Sequence, residues 1–195
     1  RSVTDDTKAY DEPAGKQRLF CKQKRSKRNI MASEDFYLKI KDIVGESEAV
    51  GFVGDMQIQS WSFGANNAGS SKLGTGMGTG KVSLQDFHFT IENGKASVQL
   101  FLATCKGNHI PEAILSCRKT GGAGEPYTYY KVTFNDLVIS SFQTGGHAGG
   151  GLPIEQCSFN FTKITHEYFQ QKKDGTVSLT NTVSYDIKKV TGTGA

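Results

Sequence analysis

Residues 154–187, IEQCSFNFTKITHEYFQQKKDGTVSLTNTVSYDI, contain two alternating patterns separated by Asp174-Gly175. In the first, apolar and polar residues alternate, and the parity shifts once between Cys157, Phe159, Phe161 and then Ile164, His166, Tyr168. In the second, the apolar residues share one predicted face: Val177, Leu179, Val183, Tyr185 and Ile187. A period of two is typical of a half-buried strand, and Asp-Gly is a strong signal for a tight turn. The stretch therefore predicts an antiparallel hairpin of two long strands.

The rest of the chain is predicted to be mostly strands. They fall at residues 35–43, 55–63, 81–91, 113–120 and 127–143. A parity change near Gln85-Asp86 predicts a bulge in the third of them. One helix is predicted, which Ser97 can cap and Gly107 can end, and its apolar residues are Val98, Leu100, Phe101, Leu102 and Cys105. Many strands with glycine-rich turns and one helix indicate a mainly β barrel or sandwich.

The charge of the chain is concentrated at its amino terminus. The 195 residues have a formal net charge of +4, but residues 1–30 hold nine Lys/Arg and four Asp/Glu, while the remainder is close to neutral at −1. Residues 1–30 lack periodicity and end in a basic run, and Met31 is followed by small and polar residues. We therefore predict a disordered, removable arm over residues 1–30, upstream of the natural start, and one domain over residues 31–195.

The sequence offers little for catalysis, cofactors or metals. The glycine cluster at residues 74–81 lacks the spacing of a P-loop, and Val82 stands where that motif needs Ser or Thr. No Cys or His pair has metal-site spacing, so no metal, cofactor or catalytic residue is predicted. We expect free thiols at the four cysteines, with Cys105, Cys117 and Cys157 in or near the core. The chain has no apolar run long enough for a membrane span or a signal peptide.

Six stretches, in the same order along the chain, resemble the haemolysin co-regulated protein (Hcp) family. They are DFYLKIKDIVGES (35–47), SWSFG (60–64), GTGKVSLQDFHFT (78–90), GNHIPEAILSCRKTGG (107–122), VISSFQTGG (138–146) and SFNFTKITHEYFQQKKDG (158–175). The match extends over residues 34–190. The arm before Met31 has no counterpart, and the stretch EAVGFVGD after Gly45-Glu46-Ser47 is less charged than is usual in the family.

The resemblance implies a two-sheet β-barrel with one short α-helix, which assembles into a hexameric ring. It implies a structural subunit of the type VI secretion inner tube and not an enzyme. The implied partners are further copies of the chain, the sheath, the spike and effector proteins carried in the lumen, with no nucleic acid and no membrane insertion. The protein would be made in the bacterial cytoplasm and secreted without a cleaved signal peptide. The alternative is a nucleic-acid or polyanion binder that acts through the basic arm.

Two groups of residues are candidates for the tube's surfaces. On the predicted strand 55–63, Trp61 and Phe63 share one face and Ser60 and Ser62 the other. Each large aromatic side chain gains roughly 1.5–3 kcal/mol on burial. Trp61 and Phe63 are therefore predicted to face the core, and Ser60 and Ser62 to face the lumen and its cargo.

The loop at residues 45–54 is the second group, because it is too long for a tight hairpin turn. The resemblance implies that this loop contacts the adjacent ring, with Phe52 as its main apolar anchor, Val50 and Val53 beside it and Glu46 as a polar contact. In the competing interpretation, Phe52 folds back onto its own barrel.

Overall fold

The structure is a computed structural model, and it describes residues 34–67, 82–121 and 125–194. The predicted arm, Met31, Cys21 and the glycine cluster at residues 74–81 lie outside the described residues. The alternative function, polyanion binding through the arm, therefore also depends on residues outside the described ranges.

The described residues form eleven strands and one helix. These are β1 (Asp35–Ile40), β2 (Met56–Ile58), β3 (Ser60–Ser62), β4 (Ala65–Asn67), β5 (Val82–Leu84), β6 (Phe87–Glu92), α1 (Lys95–Lys106), β7 (Ile110–Thr120), β8 (Pro126–Gly145), β9 (Ile154–Gln171), β10 (Val177–Asp186) and β11 (Thr191–Gly194). All strand pairs are antiparallel. The mainly β fold with two sheets and one helix agrees with the prediction.

The two longest strands form the barrel because each changes partners along its length. The β8 strand has 20 residues and β9 has 18, and they pair along nearly their whole length. The first half of β9 also pairs with β6, and its second half pairs with β10. The short strands β2 and β3 close the barrel, since β2 pairs with β1 while β3 pairs with β6. Gln59 lies between them, and its backbone N–H donates to the Thr90 carbonyl at 2.8 Å.

Four fully buried phenylalanines lie at the centre of the core, together with Leu38, Leu115 and Leu137. They are Phe87, Phe89, Phe134 and Phe159. The rings of Phe87 and Phe134 have centroids 4.9 Å apart, and those of Phe87 and Phe159 are also 4.9 Å apart. Each ring belongs to a strand in which alternate residues point inward, so the period of two places them together.

Several predicted strands differ from the observed ones in their ends and continuity. The predicted strand 55–63 is two strands, because the chain passes at Gln59 from the β1 side of the barrel to the β6 side. The predicted strand 81–91 does not continue through a bulge near Gln85-Asp86. It ends there, so that β5 and β6 are separate strands in different sheets. The first strand ends at Ile40 and not at residue 43, because Asp42 turns the chain with a φ of 67°.

The last predicted strand is interrupted by a bulge. The pairing of β10 with β9 shifts between Leu179 and Asn181. Leu179 lies opposite Phe169, whereas Val183 lies opposite His166, one register position out of step. Residues opposite each other in a ladder share a face. Val177 and Leu179 therefore lie on the other face from Val183, Tyr185 and Ile187, so the prediction of one shared face is wrong.

The helix starts two residues before the predicted cap. Gly94 is the residue before its first turn, and the Ser97 hydroxyl accepts from the Gly94 backbone N–H at 2.9 Å. Ser97 therefore completes a capping interaction from inside the first turn. The end is as predicted: Gly107 adopts a left-handed φ of 61°, and its N–H donates to the Ala103 carbonyl at 3.0 Å.

Two of the three described cysteines lie in the core as predicted. Cys117 and Cys157 are buried free thiols, and burial raises the pKa of each to about 12. The prediction is wrong for Cys105, which is exposed because its position falls on the outward face of α1. In the part of the chain that the structure describes, no helix has the length and apolar character needed to cross a membrane.

Candidate lumen face and assembly surfaces

Four neighbouring strands, in the order β3-β6-β9-β8, present one continuous polar face. The two rows of opposite residues across these strands are Ser60, Thr90, Gln156, Gln143 and Ser62, His88, Ser158, Ser141. Because opposite residues in a ladder share a face, all eight lie on the same side of the sheet. They line a shallow depression of about 430 Å³. We call this surface the polar sheet face.

Hydroxyl and amide groups link the polar sheet face and the residues beside it. The Ser60 and Thr90 hydroxyls lie 2.6 Å apart. The Ser140 hydroxyl donates to the Asp86 carboxylate at 2.6 Å and lies 2.8 Å from the Ser158 hydroxyl. Burial raises the pKa of Asp86, but the hydrogen bonds from Ser140 and Asn160 and the nearby His88 more than offset it, so the net pKa lies below its ordinary value. The face is therefore mainly neutral and rich in hydrogen-bonding groups.

The serines and aromatics of residues 60–63 point to opposite sides, as predicted. Ser60 and Ser62 are exposed on the polar sheet face, while Trp61 and Phe63 pack against the core. The Trp61 ring stacks on Phe63 and Phe87 with centroids 5.9 and 6.3 Å away. The sequence analysis did not identify the partners of the serines on β6, β8 and β9, although the polar alternation of DFHFT could have indicated His88 and Thr90.

The loop at residues 45–54 is folded on itself. The Gly45 N–H donates to the Gly54 carbonyl at 2.7 Å, and the Gly54 N–H donates to the Ser47 carbonyl at 2.8 Å. Side chains also join this part of the chain to α1. The Glu46 carboxylate accepts from the Lys95 N–H at 3.0 Å, and the Gln99 side chain accepts from the Val44 N–H at 2.9 Å. A carboxylate at a helix N-terminus is favourable, so Glu46 holds the loop against α1.

The apolar residues of the loop divide into a docked one and two exposed ones. The Phe52 ring stacks on Tyr37 of its own barrel, with centroids 4.6 Å apart, and the Arg118 guanidinium lies 4.9 Å from its centroid. Val50 and Val53 are 90% and 76% exposed. Phe52 therefore folds back onto its own barrel, as the competing interpretation expected. Val50 and Val53 are the apolar loop residues that remain exposed and can contact another molecule.

Two strand edges have no strand partner among the described residues. Pairing of β8 with β7 ends at Leu137, so residues 138–145 bond to β9 on one side only. Within residues 34–67, 82–121 and 125–194, the strand β3 pairs with β6 alone. These are the two opposite edges of the four strands that form the polar sheet face. An unpaired edge presents free backbone donors and acceptors to another strand.

The titratable groups of the described residues form no metal site, since no three of the His, Cys, Asp and Glu side chains among them gather closely enough. His166 is half-buried, and its Nδ1 lies 2.6 Å from the Tyr130 hydroxyl. Burial lowers the pKa of His166. The His166 ring packs against Phe63 and the Tyr130 ring against Trp61, so both lie at the edge of the core.

Comparison with known proteins places the chain among the type VI secretion proteins. A family model described as "Type VI secretion system effector, Hcp" matches residues 37–168. The protein hcp1 of Pseudomonas aeruginosa is 36% identical over 141 residues, which cover 72% of this chain and 86% of that protein. The crystal structure of Hcp1 from Salmonella typhimurium is 30% identical, covers 83% of this chain and 99% of its own, and has a TM-score of 0.67.

The chain belongs to the Hcp family, the structural tube proteins of the type VI secretion machine. A solved structure described as a type six secretion system protein agrees in fold, with a TM-score of 0.76 at 24% identity over 83% of this chain and all of that one. Members of the family are secreted components of the machine.

Proposed function

We propose that six copies of the chain form a closed ring and that the rings stack into the inner tube of the secretion machine. The observation that carries this proposal is the polar sheet face, which among the described residues ends in an unpaired edge on both sides, at β3 and at residues 138–145 of β8. Two different edges that meet head-to-tail form a heterologous interface, which closes into a ring when the rotation allows it. The polar sheet face of each copy then lines the lumen.

The proposed ring predicts the mass of the particle in solution. Light scattering of the purified protein at micromolar concentration should report six chains, because the two edges leave backbone hydrogen bonds that a neighbour can satisfy. A monomer that persists over a wide concentration range would contradict the ring.

Within the tube, the polar sheet face is proposed to bind effectors. Serine, threonine and glutamine side chains can donate and accept hydrogen bonds with many partners, and the small serines leave room in the lumen. The tube acts with a sheath, a spike and its effector cargo. It is made in the bacterial cytoplasm and is secreted from the cell. The membership of the family and the neutral, hydrogen-bonding character of the face support this proposal.

Replacing Ser62 with glutamine should weaken the retention of effectors without dissolving the ring. Ser62 is exposed on β3, the edge strand of the polar sheet face, so a larger side chain there fills cargo space and displaces no core atom. The measurement is the amount of an effector that co-purifies with the ring, and the control is Ser178→Gln on β10, outside the face. Equal retention by Ser62→Gln and wild type would argue against cargo contact at this position.

The loop that carries Glu46, Val50, Phe52 and Val53 is proposed to contact the adjacent ring. Val50 and Val53 supply the exposed apolar surface, and Phe52 and Glu46 hold the loop in place. Apolar side chains that are left so exposed often mark an interaction site.

The double variant Val50→Asp/Val53→Asp should abolish tubes while leaving the melting temperature nearly unchanged, because both side chains already lie in water. The single variant Phe52→Ala should also abolish tubes, and it should lower the free energy of unfolding by about 1–2 kcal/mol because the stacking and cation–π contacts are lost. Tubes are observed by electron microscopy, and Val190→Asp is the control at another exposed valine. Normal tubes from the double variant would exclude the loop from ring stacking.

A further inference from the structure

We infer that the outward face of α1 binds a second copy of the chain and covers the Trp61 side of that neighbour's β3. This inference rests on the proposed ring and names two of the surfaces that meet in it. It concerns the side of the sheet that is opposite to the polar sheet face.

The helix is apolar on two faces, and only one of them is covered by the part of the chain that the structure describes. Ala96, Leu100 and Ala103 are buried in the core. Val98, Phe101 and Leu102 are 73%, 55% and 49% exposed. Their spacing of three and four residues places them on one outward stripe, which the exposed Cys105 extends by a further turn. We call these four residues the α1 stripe. A helix surface of this kind needs a partner.

The α1 stripe lies beside an unpaired strand edge. The Phe101 ring contacts Phe142 of β8, with centroids 5.8 Å apart. Phe142 lies opposite the buried Cys157, so it points away from its neighbours Ser141 and Gln143, which belong to the polar sheet face. The stripe is therefore on the core side of the sheet, next to the free edge at residues 138–145. A strand that is added to this edge must lie next to the stripe.

The opposite edge of the same sheet presents a fitting surface. Trp61 of β3 points to the core side and is only partly buried, and Phe36 contacts it edge-on at 6.2 Å. When β3 of a second copy lies along the β8 edge, the polar sides of the two chains join and their apolar sides join as well. The two surfaces also carry opposite charges. The helix α1 contains two lysines and no acidic residue, whereas Glu34 and Asp35 directly precede Phe36.

A second copy is favoured over an unrelated protein as the partner, because every chain carries both of the surfaces that fit together. Each chain carries both an apolar stripe at one free edge and a partly covered tryptophan at the other. Closure of a ring covers every stripe and every Trp61 at once, with none left over.

The double variant Phe101→Ser/Leu102→Ser tests the inference. Both side chains are about half exposed, so the monomer should keep its melting temperature, while association should weaken by at least about tenfold. The control is Leu179→Ser, which makes the same change at a leucine of β10 that is 52% exposed. Trp61 is the only tryptophan, and its quenching by acrylamide should fall when wild-type rings form and stay high in the double variant.

Thiol labelling supplies a second measurement that does not depend on a disruptive variant. In a Cys21→Ser protein, a maleimide should modify Cys105 in dissociated chains and should fail to modify it in rings, whereas the buried Cys117 and Cys157 react in neither state. Wild-type rings together with intact rings from the double variant, or equal labelling of Cys105 in both states, would overturn the inference and leave the ring standing. A monomeric wild type would overturn both proposals.

Discussion

Replacing Phe134 with alanine should lower the free energy of unfolding by about 3–5 kcal/mol. Phe134 is fully buried, and its ring lies 4.9 Å from Phe87, 4.9 Å from Phe161 and 5.1 Å from Phe159, centroid to centroid. These neighbours come from strands β6 and β9, so the shortened side chain leaves a cavity where separate parts of the barrel meet. The rigid strands around it can collapse only partly into that space.

The measurement is urea unfolding at a protein concentration where rings dissociate, since assembly would otherwise stabilise the folded chain. Phe101→Ala is the matched control, because the same atoms are removed from a ring that is 55% exposed. The control should change the unfolding free energy by less than about 1 kcal/mol. A loss at Phe134 no larger than at Phe101 would show that this part of the barrel repacks freely.

The elements of the fold could be predicted where one local pattern continues long enough. The hairpin of β9 and β10 follows from period-two alternation on both sides of Asp174-Gly175, and the parity change within β9 is visible in the sequence. The end of α1 follows from Gly107, which reaches a φ of 61° without a steric penalty. These features depend on residues that are close together in the chain.

Other features of the fold depend on which strand pairs with which, and the period-two alternation of one strand does not specify its partner. The stretch 55–63 has one continuous alternation, yet it divides at Gln59 because its two halves pair with β1 and β6. The bulge at Thr180 also leaves no mark in the alternation, since Val177 and Leu179 keep the same parity as Val183 while lying on the other face.

The residues of the candidate site also fall into those that a local pattern predicts and those that depend on distant strands. The outward direction of Ser60 and Ser62 could be predicted, because Trp61 and Phe63 alternate with them. Gln143 and Gln156 could not be found, because their place beside Ser60 depends on ladders between strands far apart in sequence. The contact of Glu46 with the α1 backbone joins residues 49 positions apart, so the sequence indicated the residue as polar but not the group it binds.

Gly45→Ala should have the second large effect, on the stability of the chain and on the tube. A Cβ atom at position 45 would clash with the Asp55 carbonyl oxygen, which is backbone and cannot move aside as a flexible side chain can. Forced contacts of this kind typically cost about 1–3 kcal/mol. The Gly45 N–H also donates to the Gly54 carbonyl, so the added methyl group separates the two ends of the loop.

Because Val50 and Val53 lie between these two ends, their displacement should remove tubes from Gly45→Ala samples even under conditions where the rings persist. Electron microscopy reports the tubes, light scattering reports the rings and urea unfolding reports the stability. Gly151→Ala is the matched control, since a Cβ atom there meets no atom within 4 Å and its φ is ordinary. Tubes as abundant in Gly45→Ala as in Gly151→Ala would show that the adjacent ring does not depend on the shape of this loop.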